Sequence, residues 1–315
     1  MLRVVLMGTP EFAVPSLVEV AKRHQVVAVY TQPDKPVGRG LEMKSSAVKV
    51  KALELGIPVF QPEKLSMEGE WERLAQLNPD VIVVVAYGQI LRKNVLTLPR
   101  LGCINVHSSL LPRWRGAAPI QWSILAGDVQ TGVTTMRLVE KLDAGDILLQ
   151  KKTPITSEDT AETLHDRLAL MGAELLIPTL EGLAQGTLKG IAQEESQVTY
   201  AAKLTKSMEV LDPNQSAEEL ARRVRALNPW PGTILNFQPR IKIKQAQAHP
   251  DLHGHVGQIY EKAGMLLLGT ERGALQLLRL SWEGKKEVDA SGFLNGLKGR
   301  GQKLPLSTHK VGPIS

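Results

Sequence analysis

Hydrophobic positions follow two regimes along this chain. Over roughly its first 185 residues, short apolar runs alternate with segments of helical period. Residues 3–7, 26–31, 58–60, 81–86, 102–107, 132–138 and 146–152 read as strands. Residues 12–23, 44–55, 67–77, 119–126 and 160–185 read as helices, the last broken around Gly182. Pro15 falls in a first turn, where proline is tolerated, Gly56 stops the second helix, and Asn78-Pro79 ends the third. The run Val81-Ile82-Val83-Val84-Val85-Ala86 is apolar without alternation, as for a central parallel strand covered on both faces. Repeated strand–helix–strand units predict an α/β fold whose N-terminal part is a Rossmann-like parallel sheet with helices on both faces. Such sheets bind ligands beyond the carboxyl ends of their strands, which directs attention to the segments after Met7, Thr31, Ala86 and His107.

The second regime begins near residue 190. Residues 186–205 are polar with little periodicity and read as an extended connection. A helix over 216–227 opens on Ser216-Ala217-Glu218-Glu219, the pattern of a capping box, and stops at Asn228-Pro229. Short β-like runs follow at 233–237, 241–246, 256–260, 265–270 and 274–280, separated by glycines or polar residues. They predict a small β-barrel of OB-like type. The expected division is a catalytic segment 1–189, a linker 190–207 and a barrel 208–315.

Charge sharpens that division. The net charge is +6, but residues 1–205 carry 22 basic and 22 acidic side chains, whereas residues 206–315 carry 16 and 10. The excess lies in the last third, where either a polyanionic partner touching that part or a merely soluble basic domain would account for it. The only cysteine, Cys103, lies in an apolar run and reads as a buried hydrophobe, which fits a reducing cytoplasm. No stretch reaches the ~18 apolar residues of a membrane span, and the N-terminus starts directly as a strand, so no leader or membrane association is expected. His249, His253 and His255 cluster in a turn-rich segment without cysteine partners, and no metal is expected. Neither the glycine pattern of a dinucleotide site nor that of a phosphate loop occurs.

The strongest chemical signal is Asn105-Val106-His107-Ser108-Ser109-Leu110-Leu111-Pro112-Arg113-Trp114-Arg115-Gly116. On a strand Asn105 and His107 share one face, so an amide and an imidazole stand side by side where the sheet ends. Acyl transfer needs this pair: a fixed N–H donor for the developing oxyanion and a group that moves protons near neutral pH. A histidine that merely bonds a loop carbonyl is the competing reading. In Lys141-Leu142-Asp143-Ala144-Gly145-Asp146, either carboxylate could orient His107, or the segment is an ordinary turn.

Together, Asn105-x-His107, Ser109-Leu110-Leu111-Pro112-Arg113-x-Arg115-Gly116 and Leu142-Asp143-x-Gly145-Asp146 resemble the signature of the 10-formyltetrahydrofolate-dependent formyltransferases. The likeness includes residues 4–12, Gln32-Pro33-Asp34-Lys35-Pro36, Val85-Ala86-Tyr87-Gly88 and Asn228-Pro229-Trp230-Pro231-Gly232. The last run and the basic C-terminal part are similar to the branch that formylates methionine on initiator tRNA. Ser108 stands where many members carry glycine. The resemblance implies direct attack of the methionine α-amino group on 10-formyltetrahydrofolate through a tetrahedral intermediate. Asn105, His107 and Asp143 would be the catalytic trio. Ser109, Leu110, Leu111 and Pro112, with Tyr87, Gly88, Gln89 and Ile90, would contact the folate. Arg39, with Lys35, would meet the tRNA acceptor end from the basic loop 33–43, and Arg222, Arg223, Arg225, Lys242 and Lys244 would contact phosphates. Nothing demands more than a monomer. Two rivals are a transferase acting on a small amine, which would not need a basic barrel, and an RNA-binding protein on an inactive transferase fold, which would have lost the trio.

Overall fold

The computed structural model describes residues 1–37, 42–299 and 303–307. The chain forms two compact units. The first comprises Met1–Pro119, Gln130–Pro154 and Thr163–Ala201. Its strands are β1 (Arg3–Gly8), β2 (Gln25–Tyr30), the short hairpin β3 (Lys35–Val37) and β4 (Glu42–Lys44), β5 (Val59–Phe60), β6 (Val81–Val85), β7 (Cys103–His107), β8 (Arg115–Gly116), β9 (Gln130–Arg137), β10 (Ile147–Pro154) and β11 (Tyr200–Ala201). Seven of them form one sheet in the order β10-β9-β7-β6-β1-β2-β5. Strands β7, β6, β1, β2 and β5 run parallel, while β9 lies antiparallel between β7 and β10. The Rossmann-like core is therefore present with a mixed edge, because an apolar run encodes burial but not direction.

The helices are α1 (Val14–Arg23), which follows a 3-10 turn at Glu11–Ala13, then α2 (Ala47–Glu54), α3 (Glu70–Gln76), α4 (Lys93–Leu96) and α6 (Ala161–Gln185); α5 (Pro119–Ala126) belongs from Ile120 onward to the second unit. Strand β6 is buried at every position, as its unbroken apolar run requires. On one face of the sheet Val5, Met7, Ile82, Val84 and Cys103 pack with Leu74 of α3 and Val95 of α4. On the other, Val106 of β7 meets α6 at Gly172, where an added Cβ would lie 2.6 Å from the valine methyl. Helix α6 is not broken at Gly182, as the sequence suggests, but continues to Gln185. A Cβ at Gly182 would lie 2.8 Å from that of Leu188, so the glycine makes room for the returning chain. Ile191 bridges Ile147, and β11 pairs in parallel with β8.

The second unit comprises Ile120–Val129, Ile155–Glu162 and the described residues from Ala202 onward. It contains α7 (Ala217–Leu227), α8 (Ala290–Gly299) and strands β12 (Thr233–Leu235), β13 (Ile241–His249), β14 (Gln258–Lys262), β15 (Met265–Gly269), β16 (Ala274–Trp282), β17 (Val288–Asp289) and β18 (Leu306–Ser307). The sheet is antiparallel throughout, in the order β12-β13-β16-β15-β14-β18 with β17 beside β16. Leu220 and Val224 of α7 and Phe293 and Leu297 of α8 complete its core against Ile241, Ile243, Leu268 and Leu277. Helix α7 begins on the expected capping box: the Ser216 side chain accepts from Glu219 N, and the Glu219 carboxylate accepts from Ser216 N at 2.9 Å.

Candidate active site

Strand β7 delivers the site by simple alternation. Cys103, Asn105 and His107 fall on one face, opposite Val106. Cys103 is sealed beneath α4, its Sγ 3.6 Å from Val95 O, and burial pushes its thiol up to about 12. Asn105 and His107, at 9% and 6% exposure, are nearly buried but end on the carboxyl edge of the sheet. His107 Nε2 stands 2.9 Å from Trp114 O. A carbonyl only accepts, so Nε2 carries the hydrogen and Nδ1 is left as the basic nitrogen in the neutral ring. Nδ1 faces Asp143 Oδ2 at 3.9 Å, too far for a hydrogen bond but close enough for one charge to feel the other.

Both carboxylates of the 141–146 loop were candidates for that place, and the geometry separates them. Asp143 is turned inward, its Oδ2 accepting from Gly116 N at 2.8 Å. Asp146 is exposed, and its side chain lies against Gly190. The loop is tightly specified: Asp143 has a positive φ of 47°, unusual for a residue with a side chain. A Cβ on Gly145 would sit 1.8 Å from Arg137 O. Gln193 donates through Nε2 to the carbonyls of Asp143 and Gly145 at 2.8 and 2.7 Å. Its Oε1 accepts from Arg115 Nε at 3.0 Å.

The remaining expected residues are distributed unevenly. Ser109 is fully buried, with Oγ donating to Arg113 O at 2.6 Å, and its carbonyl accepts from Thr134 Oγ1 at 2.7 Å. Leu111 is buried, while Leu110 and Pro112 are half-buried. Tyr87 belongs to the core, and burial raises its phenol well above the usual range. Gly88 supplies a positive φ of 84°. Gln89 accepts from Leu65 N at 2.8 Å and donates to Pro62 O at 3.0 Å, so it fastens a neighbouring loop. Ile90 is 87% exposed, an apolar side chain beyond the carboxyl end of β6. Lys35 is exposed on β3, and Arg39 lies outside the described residues.

In the second unit, Arg223 is spent internally, its guanidinium donating to Met208 O at 2.6 Å, and burial lowers its pKa. Arg225 likewise donates to Asp159 O at 2.7 Å. Lys242 is exposed and Lys244 half-buried on β13. Arg222, Arg225 and Lys244 line a cleft of about 460 Å³ with Asp128, Glu158 and Glu218. Among the described residues no group of three or more His, Cys, Asp or Glu side chains could hold a metal ion, and no helix is long and apolar enough to cross a membrane. Gln193 and Thr134 escape sequence reading, because their partners are remote along the chain.

Comparison with known proteins adds the following. Residues 2–180 match the formyl transferase family and residues 203–298 match the formyl transferase C-terminal domain. The chain is 50% identical over 311 residues to the methionyl-tRNA formyltransferase of Methylococcus capsulatus, covering 96% of this chain and 99% of that protein. It is 49% identical over 302 residues to that of Halorhodospira halophila, covering 93% and 96%. Among solved structures, the sugar 3N-formyltransferase WlaRD superposes with a TM-score of 0.68 at 18% identity, over 91% of this chain and 99% of that one. HypX from Aquifex aeolicus, solved with tetrahydrofolic acid, gives 0.64 at 17% identity, over 95% of this chain and 48% of that one. At such identities these two likenesses speak for the fold alone.

Proposed function

The chain belongs to the formyl transferase family, and on that premise we propose that it moves the formyl group of 10-formyltetrahydrofolate onto the α-amino group of methionine carried by initiator tRNA, in support of translation initiation. It is an enzyme, a one-carbon group transferase. The observation that carries the reading is the inward trio: Asn105 and His107 on one strand face, with Asp143 facing His107 Nδ1 at 3.9 Å. The near-full-length identity with methionyl-tRNA formyltransferases supports the choice of acceptor.

The chemistry follows from these groups. The neutral amine attacks the formyl carbon, and negative charge grows on the formyl oxygen. The Asn105 amide donates to that oxygen. Such a donor is typically worth roughly 10²–10³ in rate. As the new C–N bond forms, the nitrogen becomes acidic and His107 Nδ1 takes its proton. The Asp143 carboxylate stabilises the imidazolium so formed. The bond from the formyl carbon to the donor nitrogen then breaks, and the proton passes to that leaving nitrogen. Asp143 acts by orientation and charge.

The formyl donor is assigned to the carboxyl edge of the sheet. Ile90, Leu110 and Pro112, with exposed or half-buried apolar side chains, are assigned to its aromatic ring system. Ser109, Leu111, Tyr87, Gly88 and Gln89 are assigned to the same site through backbone and packing, since their side chains are buried or already bonded. On the tRNA side, Arg39 and Lys35 are assigned to the acceptor end, and Lys242, Lys244 and Arg222 to phosphates. Arg223 supports them by fixing the chain at Met208. Segments 1–189 and 208–315 divide catalysis from RNA binding, with 190–207 between them. The enzyme works in the cytoplasm as a monomer.

The test is to supply the formyl donor with either charged initiator tRNA or a free amino sugar and to identify the formylated product by mass. Formylmethionine on the tRNA is the expected product. Formylation of the sugar alone would keep the site and reject the substrate.

A further inference from the structure

The segment after α6 reads in sequence as a connection, yet in the fold it enters the machinery around Asp143. Gln193 reaches the turn that presents this carboxylate at two points, donating to Asp143 O at 2.8 Å and Gly145 O at 2.7 Å. A side-chain amide is well suited to this, because its nitrogen carries two hydrogens and its oxygen accepts. The amide cannot turn over, since Oε1 is committed to Arg115 Nε at 3.0 Å. Arg115 is fully buried, and its second contact, Nη2 to Glu195 Oε1 at 2.9 Å, ties the same segment down again. Glu195 Oε2 continues to Lys141 at 2.9 Å, the other end of the Asp143 turn. Gly116, next to Arg115, gives its N–H to the Asp143 carboxylate itself. The turn therefore hangs from the Gly116 N–H and from a glutamine whose own amide is fixed by buried Arg115.

We propose that Gln193 is a positioning residue for formyl transfer. It holds Asp143 in its left-handed backbone conformation, so that the carboxylate faces His107 Nδ1 when the imidazolium forms. The inference rests on the role given to Asp143 above and extends it to a residue some fifty positions away, from the segment expected to serve only as a linker. Arg115 acts one step further out by fixing the amide of Gln193. Neither residue touches substrate. Without the two donors, the carbonyls of Asp143 and Gly145 would take water instead and the turn would relax. A displacement of about 1 Å at a reacting group costs up to about 100-fold in rate.

The experiment is a double-mutant cycle of Gln193→Ala with Asp143→Ala, read as kcat and as KM for charged tRNA and for 10-formyltetrahydrofolate, with thermal melts as a check on folding. With Asp143 present, Gln193→Ala should lower kcat about 10- to 100-fold and leave both KM values within about threefold. In the Asp143→Ala background the same change should cost less than about twofold, because the residue acts only through Asp143. Gln193→Glu, which keeps the volume but loses both donors, should behave like Gln193→Ala if the alanine variant folds poorly. An equal loss in both backgrounds, a loss confined to KM, or an unchanged kcat would overturn the proposal. If the wild-type enzyme formylates a small amine and ignores charged tRNA, the substrate reading has failed, and the same cycle on that amine decides the role of Gln193.

Discussion

Replacing Gly145 with alanine tests how strictly the Asp143 turn must be held. The new Cβ would lie 1.8 Å from Arg137 O and 2.8 Å from its carbonyl carbon. Arg137 cannot yield: it ends β9, is paired with Ile104 of β7, and its own N–H donates to Asp146 O at 3.0 Å. Ordinary contact begins near 3.4 Å, so the turn itself must shift by about 1.5 Å, with a stability cost on the order of 1–3 kcal/mol. The same shift carries the Asp143 carboxylate away from His107, and such a misplacement costs about 100-fold in kcat. The assay is single-turnover formyl transfer at saturating substrates, alongside a thermal melt. Gly296→Ala is the control. It lies exposed on α8, and its Cβ would meet nothing within 4 Å, so it should leave kcat unchanged and the melt equal or slightly higher. A Gly145→Ala enzyme with kcat within twofold of wild type would show that catalysis does not depend on how this turn is held.

The buried Cys103 thiol, pushed up to about 12, should resist alkylation at pH 8 in the native protein and react fully in denaturant. Rapid native labelling would show that α4 does not seal it. Ser216→Ala removes the capping box of α7 and should cost about 1 kcal/mol in a denaturant titration. The Ser216 side chain and N–H hold the Glu219 carboxyl below its usual range. Their stabilisation is thus complete above the unfolded carboxylate pKa and lost as pH falls through the folded one, so the wild-type advantage should fade in acid. An advantage that grows in acid would contradict this sign. Lys242→Ala and Lys244→Ala should each weaken tRNA binding with little effect on kcat and reduce the steepness of its salt dependence by roughly one counterion. Unchanged salt slopes would remove β13 from the RNA surface.

Much of the fold was readable because burial leaves a mark on the sequence. The unbroken run of β6 marks a strand covered on both faces, and the alternation along β7 puts Asn105 and His107 on one side. The capping box at Ser216 announced the start of α7. What was missed has physical causes. The antiparallel sense of β9 leaves no trace in composition. Gly182 looked like a helix breaker, although its role is to admit Leu188. Helix α8 hid because Gly292 and Gly296 dilute the period of Phe293 and Leu297. The choice between Asp143 and Asp146 had no local signal, since both flank the same turn. Gln193 was invisible for a related reason: its partners lie 48 to 78 residues away, and only folding brings them together.

The central claim is that His107, set between Trp114 O and Asp143, serves the chemistry while other surfaces hold the tRNA. The most direct measurement is formyl transfer to charged initiator tRNA by wild type and His107→Ala, with tRNA affinity determined on the same preparations. The expected result is a kcat loss of at least about 100-fold with tRNA affinity unchanged. A His107→Ala enzyme that turns over normally, or one whose defect lies entirely in tRNA binding, would contradict it.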